Sequence, residues 1–377
     1  MTLVFAICIA LFLAYANGAN DNFKGVATLF GSGTTDYRRA LLWGTVTTAA
    51  GSLMALLFAQ GLLAAFSGKG LVPDEVTTMK SFQMAVVFAA AATVMLATRF
   101  GFPISTTHAL TGALVGAGVL ASSSGVNFAR LGTSFFAPLL VSPLLAIILA
   151  LVMYPLFHFA RVRLKISRES CVCVGCEPAS AVPAVVRPGE AVAMTAVQIV
   201  PTMTVGNQTS CQERYNGQLL GVNASTVLDG LHYLSGGIVS FARGLNDTPK
   251  IAAILLAGSA VSPTAAITGV ALFMAVGGLL NARRTAETMA HRVTAMNAGQ
   301  GFTANLVTGF LVIFASKLGL PVSTTHVSCG SLFGIGTVTR QARWQTIAGI
   351  LTAWVTTLPV AALLGAVIFL LLRRMIG

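Results

Sequence analysis

The feature that most constrains this chain is a short segment that occurs twice: Gly101-Phe-Pro-Ile-Ser105-Thr106-Thr107-His108 and Gly319-Leu-Pro-Val-Ser323-Thr324-Thr325-His326. In each copy a proline and a Ser/Thr cluster stand at the head of an apolar run rich in small residues, the pattern of a capped helix start. The likeness continues at the same offset of 218 positions, where Gly112, Gly116 and Gly118 answer to Gly330, Gly334 and Gly336. A second pair accompanies the first. Gly18-Ala-Asn20-Asp21 with Lys24 returns as Gly244-Leu-Asn246-Asp247 with Lys250, both inside otherwise apolar sequence. The chain reads as a duplication whose polar residues gather at the duplicated points.

Such polar points matter because of what surrounds them. Only 9% of the 377 residues are charged and 55% are hydrophobic, too few charges to cover a soluble surface. The chain is therefore expected to be an integral membrane protein. Its net charge of +12 would point to nucleic acid in a soluble protein, but here the basic residues cluster in short loops between apolar runs, so no nucleic-acid partner is expected. Residues 1–16 lack a basic start and run straight into the polar Asn17-Gly-Ala-Asn-Asp stretch, so a cleavable leader is not expected.

Taken in order, residues 2–32 are apolar at both ends and interrupted from Ala16 to Asn22, which predicts a broken helix carrying Asn20 and Asp21 at the break. Residues 40–66 read as a full span. Residues 81–98 and a glycine-rich run to about Leu120 flank the tip at Gly101 to Pro103, two runs of fewer than 20 residues that predict a re-entrant hairpin. Residues 131–160 form another span. The second half repeats the plan: an interrupted run over 225–258 with its break at Arg243 to Pro249, a span at 263–281, a hairpin with its tip at Lys317 to Pro321, and a last span at 345–372. The polar, proline-bearing stretch 161–224 joins a first repeat, 1–160, to a second, 225–377.

The expected fold is an all-α membrane protein of two repeats with broken helices and two re-entrant helical hairpins. Each half then crosses three times, and an odd number makes the repeats inverted in topology. With the N-terminus outside, the cytoplasmic loops hold Arg38, Arg39, Arg161, Arg163, Lys165, Arg168, Arg187, Arg214, Arg283, Arg284, Arg292, Arg340 and Arg343, against Lys69, Lys80, Arg130, Arg373 and Arg374 outside. Charge bias favours that orientation, in a multi-pass plasma (inner) membrane protein. Four of the six cysteines (Cys171, Cys173, Cys176 and Cys211) then lie in a cytoplasmic loop, where structural disulfides are not expected.

Inverted repeats with discontinuous helices are an arrangement of secondary transporters, which bind substrate where the breaks meet at mid-bilayer. Two Ser-Thr-Thr helix starts facing each other would offer hydroxyls, backbone N–H groups and two positive dipole ends, a site for a small anion. Asp21 and Asp247 bring the opposite chemistry. With Asn20 and Asn246 they supply hard oxygens suited to Na⁺, or carboxylates that carry H⁺. Plainer readings stand beside these. Ser-Thr-Thr can be only a cap, and the aspartates can be buried partners of Lys24, Lys250 or Arg243. His108 and His326 can touch substrate or merely brace the hairpins. The glycine rows fit close helix packing. Cys171-Val-Cys173-Val-Gly-Cys176 reads as a loop feature rather than a metal site. Asn305 and Gln300 either complete an ion site or bond between helices.

Together, Gly18-Ala-Asn20-Asp21, Gly244-Leu-Asn246-Asp247-Thr248-Pro249-Lys250 and the two Pro-x-Ser-Thr-Thr-His segments resemble the inorganic phosphate transporter family, PiT. The resemblance covers both halves and none of the central stretch. It implies symport of inorganic phosphate with Na⁺ or H⁺ by alternating access, with no cofactor beyond the coupling ion, and a homodimer in the lipid bilayer. It also implies that Ser105, Thr106, Thr107, Ser323, Thr324 and Thr325 hold phosphate oxygens, and that Asp21 and Asp247 with Asn20 and Asn246 coordinate cation and phosphate. The first break continues as Asn22-Phe-Lys24-Gly, where many family members have small residues, which leaves three roles for Lys24: touching the anion, pairing with Asp21 or facing away. Rival expectations are sulfate symport through the same donors, an anion channel, and a membrane-embedded hydrolase using His108, His326 and the aspartates around a metal.

Overall fold

The fold is described from a computed structural model, which describes every residue except 1, 59, 67–69, 123–124, 168, 179–198, 208, 210–218, 258–260 and 377. Contacts divide the chain into two compact units, one of residues 1–155 and 232–377 and the other Leu156–Leu231.

The large unit is helical. Among the described residues seven helices are long and apolar enough to cross a membrane: Val4–Asp21, Tyr37–Phe58, Lys80–Phe100, Phe128–Arg163, Pro263–Asn281, Ala298–Lys317 and Trp344–Met375. Their outward faces carry bare aliphatic side chains such as Leu42, Val46 and Leu57 on one helix and Leu140, Leu144 and Ile148 on another. A surface of that kind is stable against lipid and costly against water.

The duplicated segments build two helical hairpins. Lys80–Phe100 ends on Gly101, whose φ of 74° closes the helix in the left-handed region, and Thr106–Ala121 starts after Ser105. The second copy runs Ala298–Lys317, then Gly319 at φ 68°, then Thr324–Val338 after Ser323. Only glycine takes that backbone without strain, which is why both tips carry it. The outgoing helices have 16 and 15 residues, about 24 and 22 Å at 1.5 Å per residue, shorter than a hydrocarbon core of about 30 Å. The incoming helices have 21 and 20 residues, longer than the runs of fewer than 20 expected from sequence.

The glycine rows do pack closely. A Cβ on Gly112 or Gly116 would sit 2.5 Å from Leu358 O or 1.8 Å from Ala362 O, and on Gly330 or Gly334 it would sit 2.7 Å from Pro143 O or Ile147 O.

The two interruptions differ from expectation and from each other. The first helix stays regular through Thr2–Asp21 and unwinds only afterwards, at Asn22–Val26, before the short Ala27–Gly31 turn. The second does not break at all, since Ala224–Ala257 is one helix of 34 residues with Pro249 inside it. Proline costs that helix one hydrogen bond, at the carbonyl four residues back, but does not end it. The glycines of these two segments serve packing. A Cβ on Gly18 would lie 1.9 Å from Met274 O, and one on Gly244 would lie 2.1 Å from Thr48 O.

Residues Leu156–Leu231 form their own unit, and the stretch read as a connecting loop carries a sheet. Its antiparallel strands are Ser170–Pro178, Ile199–Asn207 and Leu219–Asn223, with Ser170–Pro178 in the middle. The alternation Cys171-Val-Cys173-Val has the period of a strand: Cys171 and Cys173 are buried while Val172 and Val174 are exposed. Cys173 is disulfide-bonded and Cys171 is free, so the expectation of no structural disulfide fails at Cys173. The Cys176 side chain and Cys211 lie outside the described residues, as do Lys69, Arg168, Arg187 and Arg214 of the charge count.

Candidate functional site

Inside the large unit five charged side chains are buried together: Asp21 is 1% exposed, Lys24 2%, Arg243 1%, Asp247 3% and Lys250 2%. Isolated charges are not tolerated at such depth, so each must find a partner of opposite sign or a ring of dipoles. Every one of them does.

The two copies supply equivalent groups. Asn17 and Arg243, Asn20 and Asn246, Asp21 and Asp247, and Lys24 and Lys250 are each 226 positions apart, one set at the end of Thr2–Asp21 and the turn after it, the other within Ala224–Ala257. Each asparagine ties its segment to the hairpin of its own copy. Asn20 donates to Thr98 Oγ1 at 2.9 Å and Phe102 O at 3.0 Å and accepts from Ile104 N at 3.1 Å. Asn246 donates to Val322 O at 3.2 Å and accepts from Ser316 Oγ at 3.3 Å.

Each lysine bridges both hairpins. Lys24 Nζ donates to Asp21, Asn20 Oδ1 at 3.0 Å, Ile104 O at 2.9 Å and Thr325 Oγ1. Lys250 Nζ donates to Val322 O at 2.7 Å and Thr107 Oγ1 at 2.8 Å and lies 3.4 Å from Asp247 Oδ1. The pattern is crossed: each ammonium takes a carbonyl from its own hairpin and a threonine hydroxyl from the other. This pairing is what the plainer reading of the two aspartates anticipated.

The helix heads meet at the same place. Ser105 accepts from His108 N at 3.1 Å and Ser323 accepts from His326 N at 3.2 Å, so both serines are N-caps. Thr106 Oγ1 lies 3.4 Å from Asp21 Oδ2 and Thr324 Oγ1 lies 3.4 Å from Asp247 Oδ2. The first N–H groups of both helices have no carbonyl within their own helix, and the dipoles place positive potential there. Side by side, two such helix starts present the donors and positive potential that anion sites use. Just beyond, the His108 and His326 rings stand edge to face at 4.3 Å, with His326 against Trp354 at 3.8 Å. Neither His108 Nδ1 nor His326 Nε2 has a hydrogen-bond partner. Trp354 Nε1 donates to Pro103 O at 3.0 Å, which fixes the ring against the first tip.

All the sequence-derived candidates, Ser105, Thr106, Thr107, His108, Ser323, Thr324, Thr325, His326, Asn20, Asp21, Lys24, Asn246, Asp247 and Lys250, fall within this one constellation. Gln300 and Asn305 do not join it. Gln300 closes a capping box with Asn297, and Asn305 accepts from Thr28 Oγ1 at 3.1 Å and donates to Ser235 Oγ at 3.2 Å.

Sequence reasoning missed Asn17 and gave Arg243 only as a pairing partner. Asn17 Nδ2 donates to Thr106 Oγ1 at 2.9 Å and Asp21 Oδ2 at 3.1 Å, and its Oδ1 accepts from Arg243 Nη2 at 2.6 Å. Arg243 also reaches Asn22 Oδ1 at 2.9 Å, and its Nε lies 3.8 Å from Asp247 Oδ2. The shared 226-position offset was the signal that pairs them. Among the described residues no three His, Cys, Asp or Glu side chains converge as a metal site.

The sequence model of the phosphate transporter family matches residues 17–365. A Rhizobium meliloti protein named "Probable low-affinity inorganic phosphate transporter" is 28% identical over 384 residues, covering 97% of this chain and 95% of that protein. The Arabidopsis thaliana "Inorganic phosphate transporter 2-1, chloroplastic" is 25% identical, over 94% of this chain and 70% of its own length. A solved structure described as "The sodium-dependent phosphate transporter" superposes over the full length of both chains with a TM-score of 0.75 at 20% identity, and so shares the fold. With the family pattern spanning all but the ends of the chain, this integral membrane protein belongs to the phosphate transporter family.

Proposed function

We propose that the protein is a secondary-active symporter that moves inorganic phosphate across the membrane by alternating access, coupled to Na⁺ or H⁺. The observation that carries this reading is the meeting of two capped helix heads with both buried carboxylates and three buried cations in one constellation. Thr106, Thr107, Thr324 and Thr325, with the backbone N–H groups capped by Ser105 and Ser323, bind the phosphate oxygens. Asn20, Asp21, Asn246 and Asp247 face positive charge and hold the site together between cycles.

In this account the repeats 1–160 and 225–377 are inverted copies, the hairpins re-enter the membrane, and 161–224 joins them. Loop charge favours the N-terminus outside, while the Arg373-Arg374 pair and the Cys173 disulfide pull the other way.

In reconstituted vesicles Asp21→Asn and Asp247→Asn each abolish gradient-driven phosphate uptake while the protein remains folded. Undiminished uptake in both variants sinks the reading. Excess sulfate leaves uptake of labelled phosphate intact; strong competition by sulfate would reassign the substrate.

A further inference from the structure

Two cation cages are already filled by the protein itself. Around Lys24 Nζ stand a carboxylate oxygen of Asp21, an amide oxygen of Asn20, the carbonyl of Ile104 and the hydroxyl of Thr325. Around Lys250 Nζ stand a carboxylate oxygen of Asp247, the carbonyl of Val322 and the hydroxyl of Thr107. Carboxylate, amide, carbonyl and hydroxyl oxygens converging on one point are the donor set of an alkali-cation site in a transporter, where half-helix ends and unwound carbonyls coordinate the ion. Here an ammonium sits at each convergence point. It makes the same link between a carboxylate, its own hairpin and the opposite hairpin that a bound ion would make.

The charges make the consequence explicit. In their ordinary ionised forms Lys24, Lys250 and Arg243 outnumber Asp21 and Asp247 by one positive charge within the buried cluster. A monovalent phosphate brings the cluster to neutrality without any further cation. Na⁺ entering either cage would have to displace an ammonium that is 2% exposed and held on a stem it cannot leave.

Resting on the phosphate-transport reading above, we propose that Lys24 and Lys250 are tethered counter-cations that occupy the coupling-ion positions, so that phosphate binding and transport proceed without Na⁺. Both lysines lock the hairpins to each other in the loaded and the empty carrier, and the site is specific for an anion of single charge. Na⁺ dependence is thereby removed from this chain.

The test uses full-length protein in proteoliposomes and labelled phosphate, with matched Na⁺, K⁺ and choline media on the outside. Wild-type uptake is expected to agree within two-fold in all three. Lys24→Ala with Lys250→Ala vacates both cages and is expected to lose uptake in choline and regain it at least ten-fold in Na⁺. Lys24→Met with Lys250→Met fills the same volume with apolar atoms, and Na⁺ is expected not to restore it.

A second readout does not depend on transport: in detergent, Na⁺ is expected to raise the melting temperature of the alanine variant and to leave wild type unmoved. Wild-type uptake that falls more than ten-fold when choline replaces Na⁺, or a Na⁺-specific rise in wild-type melting temperature, overturns the proposal. If folded wild type moves no phosphate in any medium, the transport reading fails by itself, and the melting measurements still decide whether the cages accept Na⁺. Should the alanine variant not fold, the wild-type measurements suffice.

Discussion

Arg243→Met removes the one buried cation that has no cationic counterpart in the other copy, where Asn17 stands instead. The guanidinium is 1% exposed and donates to Asn17 Oδ1 at 2.6 Å and Asn22 Oδ1 at 2.9 Å, with Asp247 Oδ2 at 3.8 Å. Methionine keeps the apolar stem but leaves two amide oxygens without this donor and a carboxylate without this ion-pair partner. A hydrogen bond to a charged group contributes about 1.5–3 kcal/mol, and breaking a buried ion pair costs about 3–5 kcal/mol. These contributions overlap because they share one side chain, so a loss of about 3–5 kcal/mol is expected rather than their sum. Titration with SDS in mixed micelles, followed by tryptophan fluorescence, reads that free energy. The cycle is completed with Asp247→Asn, which removes the carboxylate that the guanidinium faces. In that background Arg243→Met should cost at least about 1 kcal/mol less than in wild type, because contacting charges couple. A loss under about 1 kcal/mol for the single variant, or additivity within about 0.5 kcal/mol across the cycle, would refute the argument that these groups stabilise one another.

Two smaller perturbations test the frame that holds the site. Gly116→Ala places a Cβ 1.8 Å from Ala362 O and should cost about 1–3 kcal/mol by forcing two helices apart, whereas Gly230→Ala, which meets nothing within 4 Å, should gain about 0.5–1 kcal/mol in the same titration. Ser105→Ala and Ser323→Ala should each cost about 1 kcal/mol and by similar amounts, since each removes one cap bond, of 3.1 and 3.2 Å respectively. A large difference between the two serines would show that the hairpin heads are not equivalent.

Much of this architecture is legible in the sequence because a bilayer leaves few options. Low charge and long apolar runs announce the spans, and polar residues inside them mark the place where spans interact. The Pro-x-Ser-Thr-Thr segments identify both helix starts because a Ser cap and a preceding glycine at positive φ are local requirements, met at Gly101 and Ser105 and again at Gly319 and Ser323. Helix continuity is less local. Gly18 and Gly244 look like breakers but are small because a neighbouring backbone lies against them, and Pro249 sits in a helix whose packing outweighs one lost bond. The crossed bridging by Lys24 and Lys250 depends on how the two copies face each other, which no spacing along the chain encodes. The role of Asn17 is hidden for a related reason: its equivalent is an arginine, so the repeat is visible only once position, not residue type, is compared. In the central stretch the Cys-Val alternation has the period of a strand, but its pairing with Ile199–Asn207 is set by residues distant in the chain.

The central claim is that the two hairpin heads and the buried charge cluster form one phosphate site. A cryo-electron microscopy map of the protein in phosphate-containing lipid nanodiscs tests it most directly. The account predicts density for one tetrahedral anion in contact with both the Thr106–Thr107 and the Thr324–Thr325 heads, absent when phosphate is omitted. Anion density confined to one hairpin, or lying away from Lys24, Arg243 and Lys250, would contradict it.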